Sequence, residues 1–178
     1  MSTISKKICL VGDFGVGKTS LIRRFVEQQF SDQYLSTVGV KISRKTIELL
    51  ANPEEKINNV QLMIWDLEGH TKFKAIAPSY LQGASGAIIV ADVTRQETID
   101  RLEEHLNLFL SINPKGFIII AFNKSDLFDD EKMAKLLTTY NFKEQVRVLS
   151  TYATSAKTGK DVDLIFEKLA DKMVFPES

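Results

Sequence analysis

The chain has one cysteine in 178 residues. No disulfide can form within it, and nothing in it suggests a secreted protein. That residue, Cys9, falls in the apolar run Ile8-Cys9-Leu10-Val11, where a buried thiol behaves as a small inert hydrophobe. No apolar run approaches the length of a bilayer span, and the N-terminus lacks the long apolar stretch of a secretory signal. Charge of either sign is not in excess: 23 Lys and Arg against 23 Asp and Glu give a formal net charge of +0. That balance removes any electrostatic case for nucleic acid or anionic lipid as a partner. Repeats and low-complexity segments are missing too. The acidic cluster Asp129-Asp130-Glu131 lacks the alternating ligand spacing of a calcium loop and reads instead as a helix start favoured by the dipole. What is present is ordinary for a globular chain, 44% hydrophobic and 26% charged, and residues 1–178 are expected to form one domain.

Apolar patterning predicts strands near 6–11, 40–50, 60–65, 86–91, 117–122 and 146–150, and helices near 18–28, 72–81, 95–111, 130–139 and 160–173. Strand followed by helix, repeated, means an α/β fold with a mostly parallel six-stranded sheet and about five helices spread over both faces. Strands 40–50 and 60–65 have no helix between them, so they form an antiparallel hairpin at the sheet edge. Pro53 and two asparagines make the connector 51–59 irregular, a tolerated surface insertion or a partner contact.

Directly after the first apolar run stands Gly12-Asp13-Phe14-Gly15-Val16-Gly17-Lys18-Thr19, which fits G-x-x-x-x-G-K-[ST]. The glycines let successive backbone N–H groups turn toward phosphate oxygens. Lys18 reaches the outer phosphates, and the Thr19 hydroxyl can ligate Mg²⁺. The helix opening at Thr19 and Ser20 aims its positive end at the same anion. This strand, loop and helix constitute a P-loop of the NTPase type.

A phosphate loop leaves the base undecided. Asn123-Lys124-Ser125-Asp126 follows the apolar run 117–122, at the C-terminal end of a strand, where open α/β sheets bind ligands. Guanine presents an N1–H and an N2–H₂ side by side, two donors that the Asp126 carboxylate can accept together; adenine offers no such pair. Asn123 can serve the base edge or tie the loops together, and the stem of Lys124 can lie along sugar and base. Between these motifs, the strand 60–65 delivers Asp66-Leu67-Glu68-Gly69-His70. Asp66 can hold a Mg²⁺-bound water, and the Gly69 N–H can approach a γ-phosphate unobstructed. In Thr154-Ser155-Ala156-Lys157, the Ala156 N–H can meet guanine O6 while Ser155 braces Asp126.

With these residues together, the chain resembles the Ras-like small GTPases, and most of all the Rab branch, over nearly its whole length. Ser36-Thr37-Val38-Gly39-Val40 is similar to the first switch segment of that branch, and Ser79 to Ala87, leading into Ala91-Asp92-Val93-Thr94, to the segment after its second. The resemblance implies a G domain that binds GTP or GDP with Mg²⁺, hydrolyses GTP slowly and acts as a switch toward effectors, exchange factors and GTPase-activating proteins. A GTP-binding interaction module with negligible hydrolysis is the alternative. The resemblance also implies that Thr37 ligates Mg²⁺ and contacts the γ-phosphate, that Phe30 packs against guanine, and that Tyr34 closes over the phosphates. Without it, Phe30 and Tyr34 are ordinary packing aromatics. Candidate catalytic residues are then Lys18, Thr37, Gly69 and His70; candidate metal ligands are Thr19, Thr37 and Asp66.

His70 stands where the family usually has the water-orienting Gln, Glu68 where it has a small Ala, and Phe14 at a loop position that is usually small. A neutral imidazole can accept from an attacking water, so His70 reads either as catalytic or as an exposed switch residue. Phe14 crowds the path of an incoming arginine finger. Glu68 beside a phosphate would cost about 4 kcal/mol at 4 Å and an effective dielectric of about 20, which turns it outward. His105, among Glu103, Glu104 and Asn107, reads as part of a solvated helix face, and Trp65 as core or a switch-facing contact. The last residues, Phe175-Pro176-Glu177-Ser178, hold no cysteine and no basic cluster. No intrinsic membrane anchor is expected in this chain, either because the protein is a tail-less, prokaryotic-type relative or because a tail has been removed. The expectation is a cytoplasmic monomer, recruited to membranes only through partners or a tail absent from this chain.

Overall fold

Period-two alternation along the strands decides which side of the sheet each helix covers. In the computed structural model, which describes residues 2–31, 40–49, 57–67 and 78–177, Ile8 and Leu10 of strand β1 (Ser2–Gly12) enter one apolar cluster and Cys9 and Val11 the other. Strand β4 (Gly86–Asp92) divides the same way, Ile88 and Val90 against Ala87, Ile89 and Ala91. So does β5 (Phe117–Asn123), with Ile119 and Ala121 on one side and Ile118, Ile120 and Phe122 on the other. Strands buried on both faces need near-continuous apolar sequence, and β4 is buried at every position.

On the first face lie α1 (Lys18–Glu27) and α6 (Val162–Val174). Their Phe25 and Phe166 rings stack with centroids 4.1 Å apart and an interplanar angle of 2°. The opposite face carries α2 (Pro78–Leu81), α3 (Gln96–Asp100), α4 (Leu102–Ile112) and α5 (Asp130–Thr139). The helix expected at 95–111 is interrupted at Arg101. The one expected at 72–81 is described only over its last turn. At α5 the acidic cluster caps the helix: the Asp129 carboxylate accepts from the Lys132 N–H at 2.7 Å, and Asp130 and Glu131 fill the first turn.

The remaining strands are β2 (Val40–Glu48), β3 (Ile57–Leu67) and β6 (Val148–Ala153). The sheet runs β2-β3-β1-β4-β5-β6, with β2 antiparallel to β3 and the other neighbours parallel. This is the expected mostly parallel sheet with its antiparallel edge pair. The connector is shorter than 51–59, because Ile57, Asn58 and Asn59 belong to β3; residues 50–56 lie outside the described set. Pairing supplies the reason, since Glu48 of β2 faces Asn59 and Ser2 of β1 faces Ile57. The same parallel pairing extends β1 back to Ser2 through the polar stretch Ser5-Lys6-Lys7. It also carries β6 past 150 to Ala153, opposite Phe122.

From β1 the chain leaves to β3 on one side and later to β4 on the other, so the loop after Gly12 sits at a topological switch point, where such sheets bind ligands. Cys9 lies fully buried beneath it, and burial pushes its thiol up to about 12, which leaves it unreactive. The stacked Phe25–Phe166 pair seals the α1–α6 face. Phe166→Ala should lower the unfolding free energy by about 3–5 kcal/mol, read as a reduced urea midpoint with an unchanged slope; a loss below about 1 kcal/mol would mean that the pair does not seal this face.

Candidate functional site

The C-terminal ends of β1, β3, β5 and β6 converge around the loop that joins β1 to α1, and its peptide carbonyls have side-chain or helical partners one after another. The buried Lys18 ammonium donates to Gly12 O at 2.9 Å and to Asp13 O at 3.0 Å. Arg95 Nη1 donates to Phe14 O at 2.8 Å, Lys124 Nζ to Gly15 O at 3.0 Å, and Asn123 Nδ2 to Val16 O at 3.0 Å. Gly17 O accepts the first helical bond, from Leu21 N at 2.9 Å. In a trans peptide the N–H of the next residue points opposite to the carbonyl. Fastening the carbonyls of 14–16 to Arg95, Lys124 and Asn123 therefore turns the N–H groups of 15–17 away from those side chains, that of Val16 donating within the loop to Asp13 O at 3.4 Å. Two glycines are needed sterically. A Cβ on Gly12 would collide with the Val90 carbonyl, and one on Gly17 with Asn123 Nδ2. Gly17 also adopts φ +103°, which side chains disfavour.

Burial pulls the Lys18 ammonium down to about 8, against the raising influence of the Asp66 and Asp13 charges. Thr19 Oγ1 donates to Asp66 Oδ2 at 2.5 Å, which joins the start of α1 to the end of β3. Ser20, in the next position of α1, is partly buried.

At the end of β5, Asn123 does tie the loops: besides Val16 O, it accepts from Thr154 Oγ1 at 3.1 Å, and Thr154 is fully buried. Lys124 takes φ 64° and also pairs with Asp92 at 2.8 Å. Burial alone would raise the Asp92 carboxyl, but bonds from Lys124 and Thr94 and the Lys124 charge outweigh it and hold it below the usual carboxylate value. Asp126 is exposed, while the fully buried Ser155 donates to its Oδ1 at 2.8 Å. Ala156 is buried and Lys157 exposed. Their carbonyls both accept from the Arg24 guanidinium of α1, so the 154–157 loop is tied to the helix that follows the phosphate loop. Phe30 is half-buried and packs on the α1–α6 face. Trp65 is half-buried with the Lys7 ammonium 3.7 Å from its ring centroid.

His105 is not on a solvated face. It is 4% exposed, and its Nε2 lies 2.8 Å from Asp13 Oδ1. The helical period explains the correction: Leu102, His105, Leu106 and Phe109 follow i, i+3, i+4, i+7 and form the buried face of α4, whereas Glu103, Glu104 and Asn107 are neighbours only in sequence. Asp13 accordingly turns its carboxylate toward α4, leaving its main chain to the loop. Phe14 is 40% exposed. Arg24, Arg95 and Arg101 escaped the sequence reading, and Asp92 and Thr154 entered it without these roles. Each acts by bonding a main-chain carbonyl or a motif side chain from a distant element, which no local spacing signals. Tyr34, Thr37, Glu68, Gly69 and His70 lie outside the described residues.

Residues 7–175 match the Ras family. The chain belongs to the Ras family. This Ras-family chain is 33% identical to the GTP-binding protein ypt5 of Schizosaccharomyces pombe over 172 residues, covering 96% of this chain and 79% of ypt5. It is 36% identical to the Ras-related protein RABF2b of Arabidopsis thaliana, covering 96% of this chain and 82% of the relative. With the human Ras-related protein Rab-22A it shares 30% identity, over 94% of this chain and 82% of that one. These relatives make it a Ras-like small GTPase nearest the Rab branch. No helix among the described residues is long and apolar enough to cross a membrane.

If Asn123 ties loops rather than reading the base, Asn123→Ala should weaken GDP binding about 10- to 100-fold, the effect of leaving buried groups unsatisfied by about 1–3 kcal/mol. The preference for guanine over xanthine nucleotides should stay unchanged. Competition binding with GDP and XDP measures both, and a changed preference would put Asn123 on the base edge.

Proposed function

We propose that this Ras-family protein binds GTP and GDP with Mg²⁺ through one domain spanning 1–178, hydrolyses GTP slowly, and switches partner binding through the segments around Thr37 and Gly69. One observation carries the reading. Asp126, exposed and braced by Ser155, stands next to Lys124 and Asn123, which bond the Gly15 and Val16 carbonyls of the phosphate loop. A carboxylate made for two adjacent donors is thereby set at a fixed distance from a phosphate cradle, which suits a guanine nucleotide and leaves an adenine one unpaired.

The Thr19 hydroxyl and the Asp66 carboxylate, 2.5 Å apart, offer only hard oxygens, a donor set that fits Mg²⁺ supplemented by phosphate and water. Thr19, Asp66 and Thr37 would hold the ion. When bound, it neutralises charge on the phosphates. Lys18 binds the outer phosphates, and its buried position strengthens that contact relative to water. The N–H of Gly69 meets the γ-phosphate, and His70, as neutral imidazole, accepts from the attacking water. Phe30 packs against the base and Tyr34 covers the phosphates. Effector, exchange and GTPase-activating proteins read the switch segments. The protein acts as a cytoplasmic monomer.

The base assignment is checked by titration. GDP and GTP should bind far more tightly than ATP, and Asp126→Asn should shift preference toward xanthine nucleotides, losing about 1.5–3 kcal/mol per guanine hydrogen bond. Equal affinities for ATP and GTP would end the assignment.

Hydrolysis is checked by single-turnover phosphate release from the purified GTP complex. The expected rate is on the order of 10⁻⁴ s⁻¹, the scale of Ras without an activating protein. It should fall with His70→Ala and below about pH 6.5, where an unperturbed imidazole protonates. No detectable release would leave a GTP-binding module without turnover. An unchanged His70→Ala rate would remove His70 from catalysis.

A further inference from the structure

We infer that Arg101 immediately before α4 and His105 on it, with Arg95 before α3, form a clamp that positions the phosphate loop and sets how long the nucleotide is retained. The inference rests on the guanine-nucleotide reading above and adds to it residues outside every motif of the loop. Asp13 is the second residue of an anion-binding loop, yet its carboxylate is 2% exposed. A carboxylate buried there would oppose the phosphates unless it were paired. It is paired on both oxygens: Oδ2 with Arg101 Nη1 at 2.5 Å and Oδ1 with His105 Nε2 at 2.8 Å. Position 101 caps the start of α4 and 105 lies one turn further on, so the start of that helix grips the two oxygens together. One residue further on, Arg95 Nη1 holds Phe14 O at 2.8 Å. Two consecutive residues of the loop, one by its side chain and one by its carbonyl, are thus held from the α3–α4 segment.

The bonds from Lys18, Lys124 and Asn123 come from the phosphate and base motifs themselves. The α3–α4 bonds are additional and act on the Asp13 carboxylate and the Phe14 carbonyl, which those three side chains do not hold. Releasing them frees the Asp13 side chain to swing toward the phosphates and lets the Phe14–Gly15 peptide rotate. Both changes weaken the cradle without touching the base. Arg101 and His105 are therefore positioning residues, acting through Asp13.

The test is the dissociation rate of fluorescent mant-GDP, chased with excess GDP at saturating Mg²⁺, from the wild type and variants. Arg101→Ala, at a side chain 42% exposed, keeps the core intact and should speed release about tenfold. His105→Leu should do at least as much, while His105→Gln, which keeps an N–H for Asp13, restores slow release. Asp13→Ala should speed release by itself and abolish the further effect of Arg101→Ala, since the clamp then has nothing to hold. Competition with XDP should show an unchanged base preference throughout. Wild-type rates in Arg101→Ala and His105→Leu, or a full Arg101→Ala effect persisting in the Asp13→Ala background, would overturn the clamp while leaving nucleotide binding standing. A wild type that binds no guanine nucleotide would overturn both.

Discussion

The phosphate loop works only if its peptide planes keep one orientation, and almost every polar contact around the site serves that requirement. A loop rich in glycine has the conformational freedom to present several N–H groups to one anion, and the same freedom lets it collapse into other shapes. Here the cost of ordering is met by hydrogen bonds to the carbonyl half of each peptide. Lys18 holds Gly12 and Asp13, Arg95 holds Phe14, Lys124 holds Gly15 and Asn123 holds Val16. None of these uses an N–H of the loop; the Val16 N–H donates within the loop to Asp13 O at 3.4 Å, and those of Gly15 and Gly17 are left to the ligand side. Preorganisation of this kind lowers the entropy lost on binding.

Because the restraining side chains come from elsewhere in the fold, the phosphate loop and the proposed base site are mechanically one unit. Asn123 and Lys124 leave the end of β5 with Asp126 close behind, Thr154 and Ser155 leave the end of β6, and the two loops interlock through Thr154–Asn123 and Ser155–Asp126. Arg24 then closes the circuit by bonding the Ala156 and Lys157 carbonyls from α1. The parallel register brings these ends to one edge: Phe122 pairs with Ala153, and Asp92 with Asn123. A slip of one residue would put Asn123 on the wrong face of the sheet and lose its bond to Val16.

Much of this was legible in the sequence, for reasons that also explain the remainder. The strand and helix order, the phosphate loop and the residues at the ends of β3, β5 and β6 follow from apolar runs and from motifs whose spacing encodes a mechanism. The start of β1 was not legible, because Ser5, Lys6 and Lys7 carry no apolar signal and are strand only by pairing with β3. Asn58 and Asn59 likewise look like a turn and are held extended by their neighbours. His105 was misread from its acidic sequence neighbours when its spacing from Leu102 and Phe109 already placed it on the buried face. Its partner Asp13 lies 92 residues away, and a contact at that separation has no local signature.

Charge pairing around the site has a consistent logic despite a chain that is neutral overall. Asp92 is taken by Lys124, Asp13 by Arg101 and His105, and Asp66 accepts from a hydroxyl. Asp13 and Asp92 are thus engaged with groups on the outside or base side of the cradle, which leaves the Lys18 ammonium as the cation inside the loop. Burial destabilises that ammonium enough to pull it down to about 8. A phosphate oxygen beside it opposes the shift, so the protonated lysine and the bound anion stabilise each other. The sign is fixed: lowering pH toward neutrality fills the Lys18 proton and favours the anion, and raising pH through about 8 empties it. The charge that burial makes costly in the fold is the charge a bound anion compensates.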